Sequence, residues 1–375
     1  MGRQNNGQRT TDNPPSGMGR VDPLMLQAVS DGVFPGAVLL VSRDGTPIFH
    51  RAYGVADLFS GRAMTVETIF DLASLTKPLA TTLAVMHLIQ HNRLGLQQPL
   101  GELLPAFKDD PKSVITIANL LCHNSGLAAY RPFYQRLEHL PMAERKSVLR
   151  DLLAGEPLID SVGAGVVYSD IGFMILQWVV ERISGWRLDH YVREELYRPC
   201  GLDHLFFIDL NTPTKPPGVF AATEQCRWRK DVLVGRVHDE NTYVLGGVQG
   251  HAGLFGTAAD VHRLLVELLS AYHDRPSTGC FEPDLVRLFF RRWAGTDRAL
   301  GFDTPSVENS SSGRFFSTNS VGHLGFTGTS FWMDLDQAVV VILLTNRVHP
   351  TRDNEAIRQF RPKLHDAVMK RIKKG

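Results

Sequence analysis

Ser74 and Lys77 stand three residues apart, directly before an apolar segment at residues 78–90. Residues at i and i+3 share one face of a helix, so the Lys77 amine would lie beside the Ser74 hydroxyl. An amine whose pKa is lowered by burial can take the hydroxyl proton, and a helix N-terminus favours the oxyanion that follows. The pair indicates a serine nucleophile with a lysine base, although a Ser N-cap beside a solvated Lys explains the same tetrapeptide.

A second candidate group, Tyr168-Ser169-Asp170, follows a glycine-containing loop and precedes an apolar repeat at residues 171–183. Ser169 or Asp170 can cap the helix that this repeat predicts, and Tyr168 can pack as an apolar staple. In the functional interpretation, the Tyr168 phenol relays a proton to and from a nucleophile. The segment by itself leaves both interpretations open.

His323 and Gly325 lie in a β-rich run near the C-terminus, where glycine lets another backbone or a ligand come close. Next to a substrate, His323 could supply positive charge or a hydrogen-bond donor. The backbone N–H groups of the same strand could complete an oxyanion hole. A structural strand histidine is the alternative.

Other chemical signals in the sequence are weaker. His87 and His91 have the spacing of a zinc-binding helix, but Leu88 replaces the expected Glu and no third ligand is evident. The cysteines form no C-x-x-C pair, which fits scattered reduced thiols better than a zinc site or a disulfide framework; they are Cys122, Cys200, Cys226 and Cys280.

Two further segments carry no decisive signal. The glycine-rich run at residues 246–256 matches neither a phosphate loop nor a dinucleotide fingerprint, and tight turns beside a cleft explain it better. His238, Asp239 and Glu240 could line a cleft or form a structural hydrogen-bond cluster. The chain has no G-x-S-x-G, which argues against an α/β-hydrolase elbow.

The elements that position these residues begin with strands at both ends of the chain. An Asp-Gly turn at Asp44-Gly45 joins two β-rich runs and predicts a hairpin over residues 36–42 and 48–53. Near the C-terminus, three short runs separated by turn residues predict a meander; they cover residues 322–328, 330–334 and 338–345.

The middle of the chain reads as mostly helical. Its helical signals cover residues 78–90, 117–121, 143–153, 171–183 and 261–271. Hairpin and meander can share one antiparallel sheet, with terminal helices at residues 22–30 and 353–372 on one face. The predicted class is α/β of the α+β kind, in one domain over residues 21–375. Its sheet lobe covers residues 21–73 and 245–375, its helical lobe covers residues 74–244, and a ligand cleft lies between them.

Composition and charge argue against two further classes of function, nucleic-acid binding and membrane association. The 375 residues carry a formal net charge of +1, which provides no global field for nucleic acid or an anionic membrane. Residues 1–20 contain almost nothing to bury and are interpreted as a flexible tail without the apolar segment of a secretory signal. The longest apolar runs are too short to span a bilayer. We therefore expect a cytoplasmic protein.

Three motifs occur in a fixed order, Ser74-x-x-Lys77, Tyr168-x-Asp170 and His323-x-Gly325. In this the sequence resembles the serine β-lactamase, penicillin-binding protein and related esterase superfamily, and within it the class C-like branch. Supporting stretches are residues 34–38, 123–127, 250–255 and 343–350. The resemblance implies a β-lactamase/transpeptidase-like fold and runs from about residue 20 to the C-terminal helix.

The resemblance also implies roles for individual residues. Ser74 would be the acylated nucleophile, Lys77 its base, and Tyr168 the group that moves protons to the leaving group and from the deacylating water. The N–H groups of Ser74 and Phe326 would hold the oxyanion, with His323 facing a small-molecule substrate. Neither a metal nor an organic cofactor is implied, and the oligomeric state stays open.

Two positions depart from the family pattern. Asp170 stands where the family usually has Asn, which places a carboxylate near Lys77 and favours its charged form. Leu324 replaces a hydroxyl residue that helps to bind the carboxylate of a penicillin or of a peptide ending in D-Ala.

These departures rank the possible functions. A serine hydrolase acting on a small ester or amide is the leading hypothesis. The alternatives are a true β-lactamase or D,D-carboxypeptidase or D-amino-acid peptidase of the same fold, and a non-catalytic member that only binds a ligand or a protein partner.

Overall fold

A computed structural model of the protein describes residues 18–212 and 218–373. Of the tail predicted over residues 1–20, residues 1–17 lie outside the described residues. Met18, at the end of the predicted tail, is already buried against the helix that follows.

The strands of the described residues are β1 (Gly36–Arg43), β2 (Thr46–Asp57), β3 (Arg62–Ala63), β4 (Phe70–Asp71), β5 (Leu205–Phe207), β6 (Ala222–Cys226), β7 (Asp231–Val234), β8 (Leu254–Gly256), β9 (Arg298–Ala299), β10 (Phe302–Asp303), β11 (Ser320–Leu324), β12 (Ser330–Asp334) and β13 (Val339–Thr345).

The α-helices are α1 (Val21–Ser30), α2 (Thr82–Gln90), α3 (Leu100–Leu103), α4 (Ile117–Leu121), α5 (Tyr134–Leu137), α6 (Met142–Gly155), α7 (Asp170–Ser184), α8 (Leu188–Val192), α9 (Glu240–Val244), α10 (Ala258–Tyr272), α11 (Pro283–Phe290) and α12 (Ile357–Ile372). Short 3₁₀ turns occupy Ala73–Leu75, Pro105–Phe107 and Pro111–Val114, and π-helical turns occupy Lys77–Thr81 and Arg193–Tyr197.

One antiparallel sheet joins the two ends of the chain, in the order β3-β2-β1-β13-β12-β11-β10-β9. The predicted hairpin is confirmed as β1 and β2, with Asp44 and Gly45 both at positive φ, as a two-residue type I′ turn requires. The predicted meander is confirmed as β11, β12 and β13. Leu39 of β1 pairs with Leu343 of β13, so the first and the last strand in chain order lie side by side in this sheet.

Helices cover both faces of this sheet. Leu39 and Val341 belong to a cluster that also contains residues of α1 and α12. Their sequence neighbours Leu40 and Ile342 point to the opposite face, into the large core shared with α2, α7 and α10. Because both faces are buried, β1 and β13 are apolar at nearly every position.

The predicted helices are present, but several start at other residues. Residues 78–81 form a π-helical turn before α2, and α10 begins at Ala258 instead of residue 261. α12 begins at Ile357, although the sequence predicted a helix from residue 353. The carbonyl groups of Arg352 and Asn354 accept hydrogen bonds from Arg347, which holds the preceding segment outside the helix. No helix among residues 18–212 and 218–373 combines the length and the apolar character needed to cross a membrane.

Candidate active site

Ser74 lies in a tight turn that joins β4 to the first buried helix. Ala73 adopts a φ of 49°, which is uncommon for a residue with a Cβ atom. The Asp71 carboxylate supports this turn, since it accepts hydrogen bonds from the N–H of Ala73 (2.9 Å) and from the N–H of His238 (2.6 Å). A strained backbone held by buried hydrogen bonds is typical of functional sites.

Lys77 is fully buried and reaches back to Ser74 from a π-helical turn. Its Nζ donates to Ser74 Oγ at 3.2 Å and to the His251 carbonyl at 3.1 Å. The same nitrogen lies 2.7 Å from Asp170 Oδ1. The sequence therefore placed these two side chains together correctly, on the turn rather than on a regular α-helix.

The charge state of Lys77 follows from this environment. Burial favours the neutral amine, but the Asp170 carboxylate and the Tyr168 phenol together outweigh it and raise the pKa of Lys77 above its ordinary value. The Ser74–Lys77 spacing alone suggested a lysine base whose pKa is lowered by burial. The resting site instead contains a charged Lys77 whose pKa is raised. The expectation that Asp170 keeps Lys77 charged agrees with this geometry.

Tyr168 and Asp170 are brought to Ser74 by the start of α7. Ser169 caps that helix, because its Oγ accepts from the Gly172 N–H at 3.1 Å. Tyr168 precedes the cap and places its ring 4.8 Å from Lys77 Nζ. Burial raises the pKa of the Tyr168 phenol, and the nearby Lys77 ammonium offsets only part of that rise. The phenol is therefore protonated at neutral pH.

His123 anchors the loop that carries Tyr168. Its Nδ1 accepts the Ser169 N–H at 3.0 Å, and its carbonyl accepts the Val167 N–H at 2.8 Å. The His123 and Tyr168 rings lie 4.6 Å apart. Burial lowers the pKa of His123 well below its ordinary range, so the ring is neutral and Nδ1 is free to accept. In the sequence, residues 123–127 carry only a resemblance to the family and no direct sign of this role.

The end of β11 forms the wall opposite Tyr168. A Cβ atom on Gly325 would lie 2.0 Å from Thr329 Oγ1 and 2.7 Å from the Leu72 carbonyl, so only glycine fits here. This contact brings the strand against the turn that carries Ser74. Within residues 18–212 and 218–373, the N–H groups of Ser74 and Phe326 have no hydrogen-bond acceptor.

His323 differs from its sequence interpretation. Burial lowers its pKa to about 4, so the ring is neutral at physiological pH. Its Nδ1 lies 2.9 Å from the Leu324 carbonyl, an acceptor, which assigns the ring proton to Nδ1. His323 therefore offers the site an acceptor at Nε2, in place of the positive charge or donor considered from the sequence.

A cavity of about 330 Å³ connects these groups. Ser74, Tyr168, His323, Gly325 and Phe326 line it, together with arginines from β9, the segment after β13, and α12. Lys77 and Asp170 are not on its lining. The Ser74 hydroxyl, the Tyr168 phenol and two unpaired N–H groups thus face one shared cavity.

The cluster at residues 238–240 is structural. His238 Nε2 lies 3.1 Å from a carboxylate oxygen of Glu224, and Asp239 Oδ1 lies 3.0 Å from His251 Nε2. Asp239 also caps α9 through the Thr242 N–H. The network holds His251 in place. Because the His251 carbonyl accepts a hydrogen bond from Lys77, the network also helps to position Lys77.

His87, near the end of α2, and His91, which caps that helix, are also explained without a ligand. His87 Nδ1 lies 2.7 Å from the Tyr191 hydroxyl, and burial lowers the pKa of His87 to about 4. Among the residues that the structure describes, no group of three or more His, Cys, Asp or Glu could hold a metal ion.

Comparison with known proteins relates the whole fold to one family. A family model described as Beta-lactamase matches residues 21–364. N-acetylmuramyl-L-alanine amidase of Bacillus subtilis (strain 168) is 35% identical over 368 residues, covering 90% of this chain and 82% of the relative. A putative D-alanyl-D-alanine carboxypeptidase of Escherichia coli (strain K12) is 29% identical over 364 residues, covering 88% and 82%.

Solved structures share the fold at lower identity. EstCE1, a hydrolase with promiscuous acyltransferase activity, superimposes with a TM-score of 0.74 at 23% identity, covering 94% of this chain and 98% of that one. An octameric penicillin-binding protein homologue from Pyrococcus abyssi gives a TM-score of 0.69 at 17% identity, covering 91% and 76%. These two likenesses concern the fold alone.

Proposed function

The chain belongs to the beta-lactamase family, and from that premise we propose that it is a serine hydrolase forming an acyl-enzyme at Ser74 with a small ester or amide. The observation that carries the proposal is the meeting of Ser74 Oγ with Lys77 Nζ at 3.2 Å, beside Tyr168. In the proposed reaction Ser74 Oγ attacks the substrate carbonyl carbon, and the N–H groups of Ser74 and Phe326 receive the oxyanion.

Because Lys77 rests in its charged form, it must lose a proton before it can act as a base. Asp170, 2.7 Å away, is the nearest acceptor. We infer that a proton moves from Lys77 to Asp170, which leaves a neutral amine and a neutral carboxylic acid. The neutral amine then takes the Ser74 proton as the Oγ–carbon bond forms.

Tyr168 completes the proposed cycle. Its phenol gives its proton to the leaving alkoxide or amine, and Lys77 returns a proton to the phenolate. Water then attacks the acyl-enzyme with the same groups working in reverse, which releases the acid and restores Ser74. The high pKa of Tyr168 suits a group that gives up its proton only in contact with a strong base.

A second candidate is hydrolysis of an amide specifically, as an amidase or a D,D-carboxypeptidase or related D-amino-acid peptidase. It is favoured by the names of the two relatives, since both describe cleavage of amide bonds. Leu324 at the family's hydroxyl position weighs against substrates whose carboxylate needs that hydroxyl. The same argument weighs against β-lactamase activity.

The test is intact-protein mass spectrometry after brief mixing with an aryl ester and, separately, with a penicillin. Wild type is compared with Ser74→Ala and with Ser270→Ala, a matched serine in the last turn of α10. We expect an added acyl mass in wild type and Ser270→Ala, and none in Ser74→Ala. Turnover of the ester and of a D-Ala-D-Ala peptide then separates the two candidates.

Two results would count against the leading proposal. An adduct that persists in Ser74→Ala would place the nucleophile elsewhere. Neither adduct nor turnover with any of the three compounds, from folded protein, would favour a non-catalytic ligand-binding member of the family.

A further inference from the structure

Two cysteines, Cys200 and Cys280, meet outside the cavity that contains Ser74. They are 80 residues apart in the sequence, yet the Cys200 thiol donates to the Cys280 sulfur with the two Sγ atoms 3.2 Å apart. A disulfide bond is about 2 Å long, so a movement on the order of 1 Å separates the two thiols from a bond. Two thiols are therefore neighbours in the fold, although the sequence predicted scattered ones.

Helix α10 holds both loops that carry these cysteines. Arg263 Nη1 donates to the carbonyl of Gly201, the residue after Cys200. Glu267 Oε2 accepts from the Thr278 N–H at 2.8 Å and from the Thr278 hydroxyl at 2.9 Å, two residues before Cys280. Arg263 and Glu267 lie about one turn apart on this helix. Because one rigid element fixes both loops, the two sulfurs are held close together.

The end of α2 adds a second support for Cys280. Gln90, the last residue of that helix, donates from Nε2 to the Cys280 carbonyl at 3.3 Å. Its Oε1 accepts the Glu282 N–H at 3.0 Å, just before α11 begins. One amide group thus binds the backbone at Cys280 and two residues beyond it. A bond to Cys200 would join segments that are already in place.

The two thiols differ in their access to solvent. Cys200 is only 5% exposed, whereas Cys280 is partly exposed. Burial, together with the hydrogen bond to the Cys280 sulfur, raises the pKa of Cys200 to about 12, so Cys200 rests as a thiol. Cys280 is the sulfur that a dissolved oxidant can reach, and reaction begins where a thiolate is accessible.

We propose that Cys200 and Cys280 form a redox modification site, at which a low-molecular-weight disulfide converts the two thiols into a reversible protein disulfide. The site lies outside the catalytic groups, so this proposal does not rest on the proposed function. It assigns a shared role to two residues that the sequence left as unconnected thiols.

The proposed reaction has two exchange steps. The Cys280 thiolate attacks one sulfur of the oxidant, whose S–S bond breaks and releases the first small thiol. Cys200 then loses its proton to the second departing small thiolate and attacks the Cys280 sulfur, which completes the protein disulfide. The two protein thiols lose two electrons and two protons, and the oxidant gains them. Because the second step is intramolecular and its sulfurs start 3.2 Å apart, it needs no further encounter.

The bond would close a long loop that contains part of the candidate site. This loop runs from Cys200 to Cys280 and includes β5 to β8, α9 and α10. It also carries His251, whose carbonyl accepts from Lys77. A cross-link over a long loop restricts the unfolded chain strongly, so we expect the oxidised protein to be more stable. Neither sulfur lines the cavity, so the rate of ester hydrolysis should stay the same.

The test is incubation of the full chain with oxidised glutathione, followed by maleimide labelling of the unfolded protein and by peptide mapping. We expect two of the four thiols to be lost and a Cys200–Cys280 cross-linked peptide to appear. The Tm should rise by about 3 °C or more. Dithiothreitol should reverse all three changes.

Three serine variants separate the steps. Cys200→Ser should stop at a mixed disulfide between glutathione and Cys280, because the second attacking sulfur is missing. Cys280→Ser should form neither the cross-link nor a stable adduct at the buried Cys200. Cys226→Ser is the matched control, since it changes another buried cysteine, and it should oxidise as wild type does.

Wild type alone can overturn the proposal, even if a variant fails to fold. A glutathione adduct at Cys280 that persists without the cross-linked peptide would show that Cys200 cannot reach it. Four free thiols after incubation, in folded protein, would show that Cys280 does not react. A cross-linked protein with an unchanged or lowered Tm would contradict the expected gain in stability.

Discussion

The Lys77 ammonium and the Asp170 carboxylate lie 2.7 Å apart, one on the turn after Ser74 and the other in the first turn of α7. This ion pair joins the two segments that hold the candidate nucleophile and the candidate proton relay. In the proposed mechanism, Lys77 must also pass a proton to Asp170 within this pair before Ser74 can be deprotonated. The acid–base behaviour of the site should therefore depend on Asp170.

Asp170→Asn should shift the acidic limb of the pH profile to higher pH. In the proposed mechanism Lys77 passes its proton to Asp170 within the ion pair, so the wild-type site needs to lose no proton to solvent. Without the carboxylate, Lys77 must lose its proton to solvent, and the acidic limb then follows the titration of the amine. We expect kcat/KM for a neutral aryl ester to reach half its plateau at least about one pH unit higher than in wild type. Asp284→Asn changes a fully exposed carboxylate and serves as the control. An unmoved or lowered limb would contradict the assignment.

Gly325→Ala should abolish most of the activity. The new Cβ would press on Thr329 Oγ1 and on the Leu72 carbonyl, and so push the end of β11 away from Ser74. We expect kcat for an aryl ester to fall by about a hundredfold or more, as for loss of an oxyanion donor. Gly155→Ala, at the end of α6 with no atom within 4 Å of the added carbon, should be active. Near-normal turnover by Gly325→Ala would show that this contact does not position the site.

Arg347→Met should lower kcat more than it changes KM for a neutral ester. The variant loses the hydrogen bonds that hold the Phe326 carbonyl, and with them the orientation of the Phe326 N–H. We expect about a tenfold loss of kcat, measured at saturating substrate. Arg347 is a positioning residue, so Arg347→Lys, which cannot bridge the same carbonyls, should not restore the rate. A change confined to KM would assign Arg347 to substrate binding.

His365 should make the protein less stable in mild acid. It is fully buried, donates from Nδ1 to the Ser311 carbonyl at 2.7 Å, and has its pKa lowered to about 4 by burial. Between this value and the ordinary histidine pKa of about 6.5, the unfolded chain binds the extra proton, so stability falls as pH falls.

Urea unfolding from about pH 7 to pH 5 measures this effect. We expect His365→Gln to reduce the slope of the free energy of unfolding by up to about 1.4 kcal/mol per pH unit. His139→Gln replaces a largely exposed histidine and should keep the wild-type slope. The same slope in His365→Gln as in wild type would mean that this residue is not held neutral.

The features that sequence alone determined are local ones. Asp44-Gly45 predicts its hairpin because both residues adopt positive φ readily, and Ser169 with Gly185 marks the two ends of α7. Uninterrupted apolar runs predict buried strands. The order of Ser74, Tyr168 and His323 is enough to indicate the family, because each motif sits at the start or end of such an element.

Only the tertiary structure decided the chemistry of the site. Lys77 is charged because Asp170 reaches it from a distant helix, a contact that the resemblance implied and the fold provides, and His323 is neutral because the fold buries it. Arg361 joins the cavity of Ser74, and Cys200 meets Cys280, through packing that no local pattern encodes. Protonation and charge balance depend on distance and burial among residues far apart in the chain, and these quantities exist only once the chain has folded.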